Sequence, residues 1–292
     1  MPRKSTSACS SDVWAEVCSA EQSLRIDFNA LCGQPSGIDA SPIDDFYEYV
    51  SSLIPVGTLA QLTTNPALGH TLLLGLVSGT ELYFLRVLAT LINLCSLCRQ
   101  AAARQSLSLG AVDYYGRDLG LGLLENISIA GSGEVKKQTL RIIGIDIPSN
   151  SSLDEAIREF ERLCELRHAA THARGHLGHQ NLRDLGIDSH RKRLALTVGV
   201  EGLHVAASVC QNVVRAYNRF IYRKVIERWI GERLLSGRWP RDRARFSKVY
   251  FLFRSTRDDH GPPTAYRAYV ALRPVIRRAL LKEAQRGAVQ QQ

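Results

Sequence analysis

Proline is scarce in this chain. Ten occur in 292 residues, and Pro148 alone lies between Pro66 and Pro240. Short strands joined by tight turns need more frequent punctuation than that, so a many-stranded β fold is excluded and long helices are expected. Aromatic residues are also few, 7% of the chain, which leaves Leu, Ile, Val and Ala to build most of the core. The phosphate-binding GK[ST] signature is missing, and Gly131-x-Gly133 lacks the third glycine of a dinucleotide fingerprint. P-loop and Rossmann readings fall away with them. No apolar run follows Arg3 and Lys4 at the N-terminus, so a secretory leader is not expected.

What is present fits an ordinary globular protein. Hydrophobic residues make up 45% and charged residues 22%, values that exclude global disorder; the length suits one large domain or two small ones. Seven cysteines is an odd number, and with no leader it points to a reduced, cytoplasmic setting in which thiols act as small buried apolar groups. Cys95-x-x-Cys98 is the only close pair and has no second CxxC to complete a zinc ribbon, so it reads as structural.

The net charge of +9 is unevenly spread. Residues 215–292 hold 19 Lys and Arg against 6 Asp and Glu, while the rest of the chain holds 18 against 22. A basic tail on a near-neutral body points to a polyanion such as nucleic acid, or to a membrane surface. Three regions follow from the pattern: a variable N-terminal region over 1–65, a helical domain over 66–215, and a basic extension over 216–292. In the first, Asp12 to Leu31 has helical character before Pro35, Gly37, Pro42 and Pro55 interrupt it. Leu72 to Cys98 reads as one long helix, apolar on nearly every side and long enough to cross a membrane. Glu81 and Arg86 sit in its middle, at roughly 2.5–3.5 kcal/mol each on insertion scales. A core helix whose two charges find partners elsewhere is the better reading, and no membrane is expected as a partner. Glycines punctuate 106–146, where loops and short helices are expected.

Ser152-Leu153-Asp154-Glu155 has the form of a capping box, with Ser at the cap and Glu three residues on. Behind it Leu153, Ala156, Ile157, Phe160, Leu163 and Cys164 recur at three- and four-residue steps. Arg167, His168 and Thr171 continue that face, and on a helical wheel Arg167 and His172 stand about 140° apart with the apolar stripe between them. An Arg is rarely buried without a partner, so this end of the helix should open onto a cleft or an interface. Basic side chains near a helix C-terminus are also what the macrodipole favours. His168, His172, His176 and His179 have spacings that would suit zinc on a continuous helix, but Gly175 and Gly178 should stop the helix, and no metal or other cofactor is expected.

Glu165-Leu166-Arg167-His168-Ala169-Ala170-Thr171-His172 resembles the Arg-x4–6-His signature of the HEPN superfamily, helical domains many of which are RNases. The resemblance covers roughly residues 66–215. The residue after the Arg is usually polar in that family, often Asn, and is His168 here. The resemblance implies a HEPN-like helical bundle, a homodimer that pairs two motif helices into one composite site, and metal-independent endonuclease chemistry on RNA. In that chemistry His172 would transfer protons, suited to it because a histidine side chain titrates near neutral pH. Arg167 would grip phosphate oxygens, and His168 would orient the phosphate or share the proton work. Glu81 would hold Arg167 in place if the core helix packs there. Many bacterial members act as toxins or phage-defence effectors, so an antitoxin or other regulatory partner protein is also implied. Toxins of the family silenced by AMPylation carry a Tyr two residues after the motif His, and here that residue is Arg174. Two alternatives remain, a non-catalytic RNA-binding or adaptor protein that keeps the motif for dimerisation, and an enzyme held inactive until a partner releases it.

In the basic extension Arg215, Arg219 and Arg223 step by four residues beside Tyr222, and Arg245 lies in a second cluster with Trp239 and Phe246. Cations interleaved with aromatics suit RNA, whose phosphates the cations track and whose bases stack on rings. Lys248–Arg254 and Ala265–Leu272 are rich in strand formers and are separated by Asp258, Asp259, Gly261, Pro262 and Pro263, the pattern of a small C-terminal β-hairpin. The fold expected from the sequence is therefore mainly α, with that hairpin and a basic extension.

Overall fold

The computed structural model describes residues 23–34, 40–188, 193–258 and 261–289, with side chains of the last helix described to residue 281. Two units divide the chain, Met1–Ile38 and Asp39–Gln292. In the first, the described residues hold one short helix, α1 (Phe28–Leu31), with Asp27 capping it; the remainder of the helix expected over Asp12 to Leu31 lies outside the described residues, apart from 23–27, which are not helical.

The second unit is mainly helical and begins earlier than the proline pattern implied. Pro42 does not interrupt a helix but opens one, α2 (Pro42–Leu53), with Ser41 as its cap; a proline costs little in the first turn, where its missing N–H would be unpaired anyway. A single 3-10 turn at Ile54–Val56 leads to α3 (Leu59–Thr64), capped reciprocally by Thr58 and Gln61. Pro66 then opens α4 (Pro66–Leu94), and α5 (Ser96–Ala102) follows after a break at Cys95. The glycine-punctuated stretch forms α6 (Leu109–Tyr115), α7 (Leu119–Leu124) and α8 (Glu134–Ile143). α9 (Ser152–Ala173) carries the motif, and beyond it β1 (His176–Leu177), α10 (His179–Asp184) and β2 (Leu194–Ala195) lead into α11 (Val200–Gly231). α12 (Trp239–Phe253) and α13 (Ala265–Val289) complete the chain.

α4 is the axis of this unit. It packs against α2, α7, α9, α11 and α12, which explains an apolar sequence with no polar face: Leu73, Leu76, Val77, Tyr83, Phe84, Val87, Leu88 and Leu91 are all almost fully buried. The helix is long and apolar enough to cross a membrane, and 61% of its most apolar window is buried within the fold. Its two charges have partners. Arg86 is bonded to Asp45 and donates to the Ala40 carbonyl at 3.3 Å, and Glu81 accepts from Ser128 Oγ at 2.8 Å and from the Ile129 and Ala130 amides at 2.6 and 3.2 Å. Close approach of α7 requires Gly120, where a Cβ would lie 2.2 Å from the Ala89 carbonyl oxygen of α4.

One group of aromatics lies where α4, α9 and α11 meet, and another on α12 and α13. The Phe84 ring lies 4.8 Å from Tyr217 and 5.9 Å from Phe160, both edge-on, an arrangement that adds to the apolar burial. Burial holds the Tyr217 phenol well above its ordinary pKa, although its oxygen lies 2.9 Å from Thr139 Oγ1. Cys95 and Cys98 are free, buried thiols. The Cys98 side chain and the Trp229 Nε1–H, 3.1 Å away, both bond the Cys95 sulfur and hold its pKa down to about 5.

The C-terminal β-hairpin is not formed. Its two expected strands are α12 and α13 instead. Phe246, Val249, Tyr250 and Phe253 are buried at three- and four-residue spacing, so the strand formers of α12 line a helical face, and Tyr269 and Ile276 do the same on α13. Packing against α11 overrides β-propensity, which is weak and context-dependent. The strands that form among the described residues, β1 and β2, pair antiparallel with His176 opposite Ala195, beyond the motif helix. α11 runs without interruption through 215/216, and α12 and α13 pack back on it.

Candidate functional site

α9 starts one residue earlier than the capping box suggested. Ser151 is the cap, its Oγ accepting from the Asp154 amide at 3.2 Å. Asp154 rather than Glu155 closes the turn, taking the Asn150 amide at 2.9 Å, Lys136 of α8 at 2.7 Å and Arg158 at 2.7 Å. The Lys136 bond is the main reason its carboxyl is held down to about 2. The stripe from Leu153 to Cys164 is buried as its spacing required. Arg158 and Arg162 project to the outer face, exposed and paired with Asp154 and Glu159.

The motif residues split to two sides of the helix. Arg167 is half-buried and its Nη2 donates to the Ala130 carbonyl at 2.8 Å, while its buried Nε has no partner. Glu81 does not pair with it directly. The two meet at one residue, Glu81 holding the Ala130 amide and Arg167 the Ala130 carbonyl, so the 128–130 segment is pinned between α4 and α9. His168 and His172 are exposed on the other side, with ring centroids 4.5 Å apart. Neither ring makes a hydrogen bond among the described residues.

The imidazoles open onto a cavity of about 680 Å³, whose lining includes His168, His172, His176, His179 and Arg193. Arg167 is not in its wall. The chain builds this cavity by leaving α9 sharply. Arg174 and Gly175 both take left-handed backbone, at φ 48° and 85°, and the Gly175 amide returns to the Ala169 carbonyl at 2.9 Å. A Cβ on Gly175 would lie 2.6 Å from His70 Cε1, so glycine lets the start of α4 support the exit turn. Asn181 of α10 donates to Glu165 at 3.3 Å and closes the far wall. Although four histidines share the cavity, no three His, Cys, Asp or Glu residues among the described ones are placed to hold a metal ion.

The basic residues also separate. Arg215, Arg219 and Arg223 line one groove with Arg158 and Arg162. Arg215 donates to Tyr47 Oη at 2.7 Å and stands over that ring, while Arg223 is paired with Glu227. Arg245 is elsewhere, donating to the Leu234 carbonyl at 2.7 Å beside Trp229, where it ties α12 to the turn after α11. Sequence reasoning passed over Arg158 and Arg162, though their four-residue spacing opposite the apolar stripe marks an exposed basic face. It also passed over Arg193, which only the pairing of β1 with β2 brings to the histidines.

No protein-family model, curated protein or solved structure matches the chain.

Proposed function

We propose that the chain is a HEPN-like, metal-independent endoribonuclease that acts as a homodimer, with His168 and His172 at the reacting centre. The observation that carries this reading is the pair of exposed imidazoles, without hydrogen bonds among the described residues and side by side in a concave cavity bordered by Arg193. Cleavage by internal attack needs one base and one acid. One imidazole takes the 2′-OH proton as O2′ attacks phosphorus, and the other, protonated, gives its proton to O5′ as the P–O5′ bond breaks. The products are a 2′,3′-cyclic phosphate and a 5′-OH end, with no net change in protons. Arg193 supplies a cation at the lip of the cavity for the charge that builds on the phosphorane.

Arg167 takes a different part. Within one chain it clasps the 128–130 segment, so it is a positioning residue there, and its orphan Nε faces the packed interior rather than the cavity. For Arg167 of a second chain to reach the phosphate across a dimer of motif helices, it would first have to release the Ala130 carbonyl. The same contact favours a rival reading, in which the motif is structural and the chain only binds RNA as an adaptor.

Incubation of the purified protein with total RNA in EDTA, followed by end mapping, decides between them. The nuclease reading expects fragments with 5′-OH and cyclic phosphate ends; an absence of cleavage, with binding intact, supports the adaptor. A toxin or defence role, a cytoplasmic location and an antitoxin-like partner belong to the same proposal and rest on the motif's resemblance.

A further inference from the structure

Away from the histidine cavity, the start of α9 and the middle of α11 enclose a groove of about 960 Å³. The two helices pack side by side. Arg158 and Arg162 stand on one wall and Arg215, Arg219 and Arg223 on the other, against Glu155 and Glu159. From Asn212 to Arg223 the α11 wall rises about 16 Å. The positive end of the α9 dipole opens into the same groove at Ser151 and Ser152. Most of these arginines are held by a carboxylate, whereas Arg219 makes no hydrogen bond or ion pair among the described residues.

Arg219 also lines a second cavity of about 280 Å³, whose walls include Tyr222, Tyr250 and Phe253. The groove and the aromatic pocket are therefore neighbours that share one free guanidinium. The ring centroids of Tyr222 and Phe253 lie 5.7 Å apart with the planes tilted by 58°. The amide of Asn218 in this pocket is already used, accepting from Tyr83 Oη at 3.0 Å and donating to the Phe253 carbonyl at 2.8 Å. Tyr250 Oη is likewise committed to the Pro263 carbonyl. What remains is the half-buried ring of Tyr222, with Tyr250 and Phe253 buried beneath it and Arg254, Ser255 and Asp258 beside it.

We propose that the groove holds a single nucleic-acid strand, its phosphates along the arginines and one unpaired base against Tyr222 at the mouth of the neighbouring pocket. Cations that track a backbone beside a stacking platform are what sequence-tolerant single-strand binding requires, and a base can enter such a pocket only when it is not paired. The choice of ligand rests on the reading of this chain as an RNA-acting protein, but the residues are distinct from His168 and His172.

A labelled deoxythymidine decamer tests the binding without cleavage, because DNA has no 2′-OH to attack. Measured by fluorescence anisotropy, the full-length protein should bind this strand more tightly than a duplex of the same length. It should bind the decamer about tenfold more tightly than a fully abasic strand, a gap within the range of one stacked base. Tyr222→Leu should close that gap. Combined Arg219→Glu and Arg223→Glu, at exposed positions that leave the fold intact, should weaken binding at least tenfold. They should also flatten the slope of log K against log salt by about 1.4, two phosphates at roughly 0.7 each. Equal binding by the double variant, or equal binding of the decamer and the abasic strand by the wild-type protein, overturns the proposal. RNA cleavage is scored separately, so failure of the nuclease reading leaves these binding differences in place and their failure leaves cleavage in place.

Discussion

The first three turns of α9 and its last two share an axis and differ in what holds their side chains. In the first turns every strongly placed group is engaged: Ser151 caps, Asp154 gathers Lys136, Arg158 and the Asn150 amide, and Phe160 is fully buried against Phe84. In the last turns the apolar stripe gives way to Arg167, which is engaged on one side, and to two imidazoles on the other that touch each other and make no hydrogen bond among the described residues. A buried polar group without a bond is costly, but an exposed one is merely available. Fold-supporting contacts are therefore concentrated at one end of this helix and exposed imidazoles without hydrogen bonds at the other.

Substitutions along the helix should separate the two ends. Phe160→Ala should show the largest effect on stability, about 3–5 kcal/mol in chemical denaturation, as expected for a fully buried aromatic ring replaced by a cavity. A loss below about 1 kcal/mol would mean that the α4–α9 core is not packed as described. Arg167→Ala should cost less, about 1–3 kcal/mol, because it leaves the Ala130 carbonyl without its charged donor. Amide exchange should quicken at residues 128–130 and not in α10. If exchange there is unchanged while cleavage is lost, Arg167 acts on phosphate rather than on the loop.

The smallest effect belongs to Asp154 and depends on pH. Its carboxyl is held at about 2 in the fold against 3.8 in its ordinary state, so the contribution is complete above the ordinary value and is lost as pH falls toward 2. Asp154→Asn should lower Tm at pH 7, and the gap from wild type should narrow between about pH 4 and pH 2. A gap that stays constant down to pH 2 would show that the ion pairs with Lys136 and Arg158 do not set it.

How far the sequence disclosed this depends on whether the information is local. The α9 stripe, the apolar length of α4 and the need of Glu81 and Arg86 for partners are all written in short-range spacing, although the one helix expected over Leu72 to Cys98 runs Pro66–Leu94 and breaks at Cys95 before Ser96–Ala102. The 248–254 segment misled because its strand formers also satisfy a helical period, and only the face offered by α11 decides between the two. The separation of Arg167 from His172 was readable as an angle of about 140°, but which side meets a cavity depends on the chain's exit at Arg174 and Gly175 and on β2, some 20 residues further along. Arg158 and Arg162 could be read as a basic face, whereas their meeting with Arg219 and Arg223 follows only from how α9 and α11 pack.

The central proposal is that the two exposed imidazoles of α9, unlike Arg167, do chemistry rather than support the fold. His172→Ala and His168→Ala, each compared with wild type for RNA cleavage in EDTA, for Tm and for sedimentation, test it most directly. The account expects each to lose roughly 10²–10⁴-fold in cleavage rate, the usual effect of removing a proton-transfer group, with Tm and oligomeric state unchanged. Folded variants that cleave RNA as fast as the wild-type protein would contradict it.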